Sequence, residues 1–502
     1  MPEFDPDLQS IQEARSLAAQ AHEAQKVWAR ATQAEVDRVC AAMAEAGYTA
    51  AERLGRLAVE ETGYGVPEHK TLKNILTSQV LWDSIKDIPT VGVIRHDPAK
   101  KLYDIAWPVG LVAALCPSTN PTSTAMFKIL ISVKARDAVI VAPHPAAARC
   151  TSETARIMAE AGERAGMPKG LVSSMTHISL PGTQELMRHK YTSLILATGG
   201  SEMVRAAHSV GKPAYGVGPG NVPVYVDRSA DLRKAARYIV ASKAFDHSVI
   251  CATEQAVVAD QPIAAQLEEL MKAEGAYFVD PAGSAALAKL LFTPGPLINP
   301  KMVGKSPQQL AQAAGFSVPD SARILVARLS AVGPSEPLSG EKLTTVLGWY
   351  QADGWEAGCE RCIELINFGG RGHSLVIHAQ DDGVIMRFGL EKPVHRILVN
   401  TMGTLGATGM TTGVMPSMTL GPGGIGGAIT GDNITVHHMY TVKRLAYETV
   451  PPPEAAFLPG STDPQAAQPV HWDHHDRGAP AVGLDGDQIE TIVRRVLAEM
   501  GK

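Results

Sequence analysis

The side chains best able to act as nucleophiles in this 502-residue sequence are its six cysteines. Six cysteines in so long a chain do not make a disulfide framework, so each is treated as a free thiol in a reducing compartment. Cys251 has the most suggestive setting, because FDHSVICATEQAVV puts it just before an apolar run that predicts a strand, between two α/β regions. A thiol there can meet ligands from both regions and attack a carbonyl carbon. The local sequence leaves open a structural role, which is the commoner one for a free cysteine.

The other cysteines have weaker functional indications. Cys116 follows a predicted strand beside the polar turn of LCPSTNPTSTAMF, whereas Cys40 and Cys150 are interpreted as packing residues. Cys359 and Cys362 form the pair CERC on a helical pattern, without a second pair or a nearby histidine. A structural zinc site needs about four such ligands, so we expect no metal here.

Two regions in which strands alternate with helices must position these groups. The first begins near residue 109, with predicted strands in GLVAAL, DAVIVAPHP, TSLILATGG and NVPVYVD, and follows helices over residues 7–65. The second runs from about 242 to 435, with predicted strands in QAVVAD, RILVARL, HSLVIHA and HRILVNT. Strands joined by crossover helices lie parallel, which predicts an α/β fold with doubly wound sheets. Such sheets bind ligands at the carboxyl ends of their strands.

The composition argues against several classes of protein. Hydrophobic residues make up 45% and charged residues 19% of the chain, as in an ordinary globular protein, and the formal net charge is −5. That charge offers no broad attraction for phosphate backbones, so no nucleic-acid partner is expected. The opening segment MPEFDPDLQSIQEARSLAAQAHEAQ lacks the features of a signal peptide, and no apolar run approaches the roughly 20 residues that span a bilayer. We therefore expect a cytoplasmic protein without a membrane partner.

Several segments together resemble the aldehyde dehydrogenase superfamily, and more closely its CoA-acylating branch. They are FDHSVICATEQAVV, CPSTNPTSTAMFKILISVKARDAVIVAPHP, LATGGSEMVRAAHSVGKPAYGVGPGNVPVYVD, EKLTTVL, FGGRGHS and RILVNT, and the resemblance covers about residues 7–448. It implies an aldehyde dehydrogenase fold, with a Rossmann-like NAD-binding domain over 1–241 that includes an oligomerisation excursion near 116–136. It further implies an α/β catalytic domain over 242–435, a return segment for oligomerisation over 436–450, and a homodimer or homotetramer.

The resemblance implies oxidation of a small aliphatic aldehyde, acetaldehyde or propionaldehyde, with NAD and coenzyme A. Cys251 matches the nucleophile, which forms a thiohemiacetal and, after loss of hydride, a thioester. Asn120 matches the side-chain donor of the oxyanion hole, and the backbone N–H of Cys251 is the second donor. Taken alone, Asn120 is an ordinary Asn-Pro turn residue.

The resemblance also implies where NAD binds. The adenosine side matches the end of one strand, and the pyrophosphate matches a strand-to-helix turn where helix N–H groups can approach phosphate. A third segment lines the nicotinamide, and an acidic residue holds the nicotinamide ribose. The matching residues are Ala142, Pro143, His144 and Pro145, then Thr198, Gly199, Gly200 and Ser201, then Gly216, Val217 and Gly218, and finally Glu341. Taken alone, each glycine is equally explained as a turn residue.

The acceptor of the acyl group is indicated by a missing carboxylate. Residues 215–221, YGVGPGN, match the segment in which hydrolytic aldehyde dehydrogenases carry the glutamate that activates water. Without that base a thiol acceptor is favoured, since a thiol with a pKa near 8.5 supplies far more nucleophile at neutral pH than water. Coenzyme A is that acceptor in the resembling branch. His373 matches a histidine near the active site that could deprotonate the thiol, and a structural role capping a turn stays open.

The end of the chain differs from the rest. Residues 451–486 are rich in Pro, Gly and Ala and predict a flexible linker. The following segment, 487–502, predicts a helix with one apolar stripe, formed by Ile489, Ile492, Val493, Val496, Leu497 and Met500. It resembles the encapsulation peptides that bind shell proteins or other cargo, which predicts a location in the lumen of a bacterial microcompartment. An oligomer contact, or packing of this helix on its own domain, stays open.

Two other functions stay open at this point. One is an acylating dehydrogenase for a charged aldehyde such as sulfoacetaldehyde, with Arg371 as the candidate cation. The other is a catalytically silent microcompartment scaffold with this fold, against which the intact Cys251, Asn120 and Glu341 argue. The glycine-rich closing segment departs in detail from the family, so the choice between C2 and C3 aldehydes stays open. The choice between NAD and NADP and the direction of flux stay open as well.

Overall fold

A computed structural model describes residues 5–292, 298–453 and 456. The chain divides into two units, Met1–Ala446 and Tyr447–Lys502. In the second unit, the described residues 447–453 and 456 are exposed and contain no strand or α-helix. Nearly all of the predicted linker and the whole of the segment 487–502 lie outside the described residues. Within the part of the chain that is described, no helix has both the length and the apolar character needed to cross a membrane.

The helices of the first unit begin where the sequence supplies caps. Thr32, Ser179, Asp231 and Asp280 each accept a hydrogen bond from a backbone N–H of the first turn that follows, and several helices open on proline. The helices are α1 (Pro6–Trp28), α2 (Gln33–Thr49), α3 (Ala51–Thr62), α4 (Pro67–Ile75), α5 (Leu81–Ile85), α6 (Pro121–Lys134), α7 (Ala148–Arg164), α8 (Leu180–Arg188), α9 (Ser201–His208), α10 (Leu232–Ala244), α11 (Gln261–Ala273), α12 (Pro281–Leu291), α13 (Pro307–Ala314), α14 (Gly354–Phe368), α15 (Asp382–Glu391) and α16 (Gly403–Ala407).

The strands form three sheets. They are β1 (Gly92–Asp97), β2 (Leu102–Pro108), β3 (Leu111–Leu115), β4 (Ala138–Ala142), β5 (Val172–Ser174), β6 (Thr192–Thr198), β7 (Ala214–Val217), β8 (Val222–Val226), β9 (Glu254–Asp260), β10 (Ala276–Phe278), β11 (Ile324–Arg328), β12 (Val346–Ala352), β13 (Leu375–His378), β14 (Ile397–Val399) and β15 (Tyr440–Ala446). The predicted α/β fold is therefore confirmed.

The first sheet is parallel and has the order β5-β4-β3-β6-β7. The chain runs outward from β3 through β4 to β5 and then returns to β6 on the other side of β3. The neighbours β3 and β6 thus flank a topological switch point, where parallel sheets bind ligands. Strands β3 and β4 are buried at every residue because helices cover both faces of the sheet. The segment 116–136 comprises the loop after β3 and helix α6, whose residues are all buried within this chain.

The second sheet is also parallel and has the order β10-β11-β12-β9-β8-β13-β14. The strand in NVPVYVD, which the sequence assigns to the first α/β region, pairs here with β9 and β13 as β8, so that assignment was wrong. It leaves the first sheet because the turn over residues 218–221 carries the chain across from β7. The domain boundaries at 241 and 435 stay predictions.

The third sheet is antiparallel, with the order β1-β2-β15. Strand β15 pairs along the full length of β2, although 331 residues separate Leu102–Pro108 from Tyr440–Ala446. Most residues of β15 are exposed. The predicted return segment over 436–450 thus contains a strand that extends this sheet.

Candidate active site

The turn that carries Cys251 has an unusual backbone. Helix α10 ends at Ala244. After Phe245, the residues Asp246, His247 and Ser248 have φ values of 50°, 49° and 68°. Three consecutive non-glycine residues in the left-handed region store strain that the surrounding structure must compensate. The Asp246 carboxylate supplies part of that compensation, since it accepts the backbone N–H of Val66 at 2.7 Å. The turn therefore holds Cys251 in a defined place just before β9.

Cys251 is half-buried, whereas the other five cysteines are buried. Burial raises the pKa of its thiol to about 12, and the nearby Glu341 carboxylate adds to the shift. The pKa of Cys251 is lowered in turn by the charge of Arg396, by the backbone N–H of Cys251 and by the charge of Lys73. Cys251 is thus a protonated thiol at neutral pH, surrounded by groups that stabilise negative charge when it forms.

Asn120 lies at the end of the loop after β3, directly before helix α6. Its side chain makes no capping hydrogen bond to the helix and is 9% exposed. The amide oxygen accepts a hydrogen bond from Lys73 Nζ at 2.7 Å, and the amide nitrogen donates to Thr119 Oγ1 at 3.3 Å. The side chain is therefore held by groups outside its own helix.

A cavity of about 290 Å³ brings Cys251 and Asn120 together. Its walls come from the carboxyl ends of β3, β4 and β6 on one side and from residues that precede β9 and β12 on the other. The lining residues are Cys116, Pro117, Ser118, Thr119, Asn120, Thr124, His144, Thr198, Gly199, Gly200, Met203, Val217, Gly218, Pro219, Val249, Ile250, Cys251, Glu341, Leu343, Thr408, Met418 and Leu420. Among the described residues, none that lines the cavity is lysine or arginine, and Glu341 is the one acid.

The cavity includes most of the residues predicted from the sequence, but not all of them. The predicted residues that line it are Asn120, His144, Thr198, Gly199, Gly200, Val217, Gly218, Cys251 and Glu341. The predicted residues that do not line it are Ala142, Pro143, Pro145, Ser201, Gly216 and His373. Five of these six lie within two residues of a lining residue, and His373 is the exception. Arg371, the candidate cation, is exposed and does not line the cavity either.

The turn between β6 and α9 has the features of a phosphate site. Thr198 ends β6, Gly199 and Gly200 follow, and Ser201 begins α9. A methyl group at Gly200 would meet no atom within 4 Å, and one at Gly199 would meet only the Met203 side chain, at 3.8 Å and beyond. The backbone here is therefore open to close approach by a ligand at the N-terminus of a helix.

Glu341 lines the same cavity as this turn. Its Oε1 accepts the backbone N–H of Gly220 at 3.1 Å. Burial raises the pKa of its carboxyl to about 7, although the Gly220 N–H and the charges of Lys243 and Lys342 oppose the shift. The pKa of Glu341 therefore lies near neutral pH, and its ionised form can accept hydrogen bonds from ligand hydroxyls.

His373 lies behind the cavity wall. It is 1% exposed, its Nδ1 lies 3.0 Å from Ser374 Oγ, and its Nε2 is buried without a hydrogen-bond partner among the described residues. Gly220 separates it from the nucleophile, since a methyl group there would overlap the carbonyl oxygen of Cys251 and come within 3.2 Å of the His373 ring. Burial, and then Arg396, lower the pKa of His373 to about 3, so the ring stays neutral.

Sequence reasoning missed several residues that shape this site. Lys73 donates hydrogen bonds to the Asn120 side chain and to Asp246, and Asp246 lies on the turn that carries Cys251. Thr408, Met418 and Leu420 of the glycine-rich closing segment line the cavity. The sequence feature that could have indicated Lys73 and Asp246 is the pair of lysines in HKTLK, one helical turn apart.

Comparison with known proteins is consistent with this geometry. A profile of the Aldehyde dehydrogenase family matches residues 7–314. Aldehyde-alcohol dehydrogenase 2 of Entamoeba histolytica is 39% identical over 424 residues, which cover 83% of this chain and 49% of that protein. The chain spans about half the length of the aldehyde-alcohol dehydrogenases it matches.

Two solved structures are similar over nearly their whole length. An acetylating aldehyde dehydrogenase from Geobacillus thermoglucosidasius is 48% identical with a TM-score of 0.89, covering 90% of this chain and 100% of that chain. A Rhodopseudomonas palustris propionaldehyde dehydrogenase with bound CoA and an acylated cysteine is 26% identical with a TM-score of 0.79. That match covers 86% of this chain and 97% of the other.

Proposed function

This chain belongs to the aldehyde dehydrogenase family, and from that membership we propose that it converts a small uncharged aldehyde to its acyl-CoA with NAD. Acetaldehyde and propionaldehyde are the proposed substrates. The observation that carries the proposal is that the half-buried Cys251 shares a cavity with the amide donor Asn120, while residues 215–221, three of which line that cavity, include no carboxylate.

The first step is attack by Cys251 on the aldehyde carbonyl. The thiol proton passes to solvent as the carbon–sulfur bond forms, and the π electron pair of the carbonyl moves to its oxygen, which becomes negatively charged. The amide N–H of Asn120 and the backbone N–H of Cys251, which lies against its own sulfur, are the donors for that oxygen. These fixed donors stabilise the thiohemiacetal oxyanion more than the neutral aldehyde.

The cavity fits NAD at three places. The open backbone at Gly199 and Gly200 suits the pyrophosphate, the end of β4 at His144 suits the adenosine, and Glu341 suits the hydroxyls of the nicotinamide ribose. NAD bound there supplies the acceptor for the hydride that the thiohemiacetal loses. The resulting thioester stays on Cys251, in the same cavity as Asn120.

The thioester requires an acceptor, and the lining favours a thiol. Asn221, in the segment where a glutamate would activate water, donates its amide to the carbonyl oxygens of Ser339 and Leu365 at 2.9 and 2.8 Å. Glu341 is engaged with the Gly220 N–H. The thiol of coenzyme A needs no strong base, because its pKa near 8.5 leaves an appreciable thiolate fraction at neutral pH. The CoA-bound, acylated propionaldehyde dehydrogenase supports this route.

For His373 the geometry favours the structural alternative. A ring that stays neutral, is almost fully buried and lies behind Gly220 is poorly placed to take a proton from a thiol in the cavity. We propose that His373 supports the backbone around Gly220. Replacement by asparagine should then change thermal stability more than kcat.

The walls around the thiol favour an uncharged aldehyde. The apolar residues of the lining include Val249, Ile250, Leu343, Met418 and Leu420. Among the described residues, no lysine or arginine lines the cavity. An anionic aldehyde would also meet the carboxyl group of Glu341. A sulfonate or carboxylate substrate is therefore disfavoured relative to acetaldehyde or propionaldehyde.

The deciding experiment measures NADH and acyl-CoA together. Acetaldehyde, propionaldehyde and sulfoacetaldehyde are supplied with NAD, with and without CoA, and products are identified by mass. Expected are steady NADH formation and acyl-CoA only when CoA is present, and little reaction with sulfoacetaldehyde. Equal steady turnover to free acid without CoA would refute the assignment.

Two cysteine variants separate enzyme from silent scaffold. Cys251→Ala should abolish acyl-CoA formation entirely. Cys116→Ala is the matched control, because Cys116 lines the same cavity but is 2% exposed. It should retain most of the activity. Full activity of Cys251→Ala would reject the catalytic role.

We also propose that residues 487–502 bind a microcompartment shell protein and that the chain forms a homodimer or homotetramer. The support is the apolar stripe behind a Pro- and Gly-rich linker. Deletion of residues 456–502 should leave activity and oligomeric mass unchanged and abolish co-purification with shell proteins. Retained encapsulation would reject this part of the proposal.

A further inference from the structure

Two buried lysines on one helix form ion pairs with a single carboxylate on the turn that carries Cys251. Lys70 and Lys73 are one turn apart on α4, and Nζ of each donates to Asp246 Oδ2, Lys70 at 2.8 Å. Their side chains are 2% and 3% exposed, and that of Asp246 is fully buried. Burying three charges costs free energy that their mutual attraction offsets only in part, so this cluster is not explained by stability alone.

The two lysines differ in what else they contact. Lys70 Nζ donates to the backbone oxygen of Thr119 at 2.8 Å. Lys73 Nζ donates to the side-chain oxygen of Asn120 at 2.7 Å and to the backbone oxygen of Val249 at 3.4 Å. Lys73 thus touches both sides of the reaction centre, the oxyanion donor and the turn before Cys251. Lys70 contacts neither the Asn120 side chain nor Val249.

The Lys73 contact determines which end of the Asn120 amide faces the cavity. An ammonium group can only donate, so the atom it contacts must be the amide oxygen. The amide nitrogen then points away from Lys73 and carries two hydrogens, one of which is directed to Thr119 Oγ1. Burial lowers the pKa of Lys73 to about 8 while Asp246 opposes the shift, so the amine is still mostly protonated at neutral pH.

We propose that Lys73, held by Asp246, is a positioning residue that locks the Asn120 amide with its N–H toward the oxyanion. This inference rests on the proposed function, because it gives Asn120 its task. Lys73 does not line the cavity and acts through Asn120. Without it, the amide can rotate and present its oxygen to the developing negative charge.

Lys70→Met and Lys73→Met form a matched pair of variants. Each removes one buried positive charge from the same helix and the same carboxylate, and each leaves the other lysine paired one-to-one with Asp246. Neither variant leaves a buried carboxylate without a partner. The two differ in the Asn120 contact and in the effect of the Lys73 charge on the Cys251 thiol, so comparison in an Asn120→Ala background is needed to separate positioning from charge.

The expected result is a difference in kcat without a matching change in KM. Lys73→Met should lower kcat about tenfold to a hundredfold relative to Lys70→Met, within the roughly 10²–10³-fold lost when one oxyanion donor is removed. The KM for aldehyde should change less than about threefold, because the interaction is made in the transition state. In an Asn120→Ala background the two lysine variants should differ little, since the residue that Lys73 positions is already gone.

A second assay makes this test independent of NAD and CoA. p-Nitrophenyl acetate acylates a cysteine thiolate through a tetrahedral oxyanion, forming the thioester and releasing p-nitrophenolate. The burst of p-nitrophenolate should be absent in Cys251→Ala and slowed in Lys73→Met by about the factor seen in kcat. If wild-type protein makes no acyl-CoA, the proposed function fails while this burst still tests Lys73. Equal burst rates and equal kcat for Lys70→Met and Lys73→Met would overturn the inference.

Discussion

Gly220→Ala should damage catalysis because the added methyl group has no room beside the nucleophile. An ideal Cβ at this position would overlap the backbone carbonyl oxygen of Cys251 and come within 3.2 Å of the His373 ring. The φ of Gly220 does not lie in the left-handed region, so the substitution is limited by space and not by backbone preference. A backbone oxygen cannot rotate away as a flexible side chain can.

The size of the effect follows from that overlap. Carbon atoms pack at about 3.5–4.0 Å, so the Cys251 carbonyl must move by a distance on the order of 1 Å. A displacement of about 1 Å from the productive geometry costs roughly 10²-fold in rate, or about 2.7 kcal/mol of barrier. Overpacking a filled site costs a further 1–3 kcal/mol or so of stability.

The measurement combines steady-state kinetics with thermal unfolding. Gly413→Ala is the control, since Gly413 does not line the cavity, has no positive φ and has no described atom within 4 Å of an added Cβ. We expect kcat to fall about a hundredfold in Gly220→Ala and much less in Gly413→Ala, with both proteins folded. A kcat within threefold of wild type for Gly220→Ala would refute the packing argument.

Three further outcomes are expected. Asn120→Ala should lower kcat by about 10²–10³-fold with little change in the KM for aldehyde, measured in steady state. Asp246→Asn should cost about 3–5 kcal/mol in urea unfolding, since it leaves Lys70 and Lys73 buried without a carboxylate. Burial raises the pKa of Asp246, but Lys70 and Lys73 outweigh it and leave the pKa below its ordinary value. The wild-type stabilisation should therefore be present above about pH 4 and be lost as the pH falls further, and the Asn variant should lack this loss. Because burial raises the pKa of Glu341 to about 7, the KM for NAD should rise as the pH falls below 7, and Glu341→Gln should flatten that dependence.

The elements of this fold could be predicted because their patterns are local. Apolar runs such as AVIVA in β4 and ILVAR in β11 are bounded by turn residues, and both are strands. The residues after β3 and β6 could be placed at one site because a doubly wound sheet gathers its carboxyl ends there. The strand β8 could not be assigned to its sheet, since pairing with β9 and β13 depends on packing beyond the strand itself.

Local sequence patterns could not predict the residues that support Asn120 and Cys251, for a related reason. Lys73 and Asp246 are 173 residues apart in sequence, and Asp246 adopts a left-handed conformation that its residue type only modestly favours. His373 and the Cys251 carbonyl oxygen both lie near Gly220, but the burial of His373 there depends on the exact course of the turn before β8. Motif spacing shows which residues converge and does not show which of them face the cavity.

The charge distribution around Cys251 explains why Lys73 and Asn120 should affect kcat rather than the binding of the aldehyde. A thiol whose pKa is raised to about 12 is almost fully protonated at pH 7, so the resting protein stores no thiolate that oxidants could attack. The net positive charge of Lys70, Lys73 and Asp246 and the amide of Asn120 have no negative charge to stabilise until the aldehyde adds. Their stabilisation therefore falls mainly on the thiohemiacetal and the transition states beside it, and removing Lys73 or the Asn120 amide should raise the barrier while leaving the aldehyde's affinity nearly unchanged.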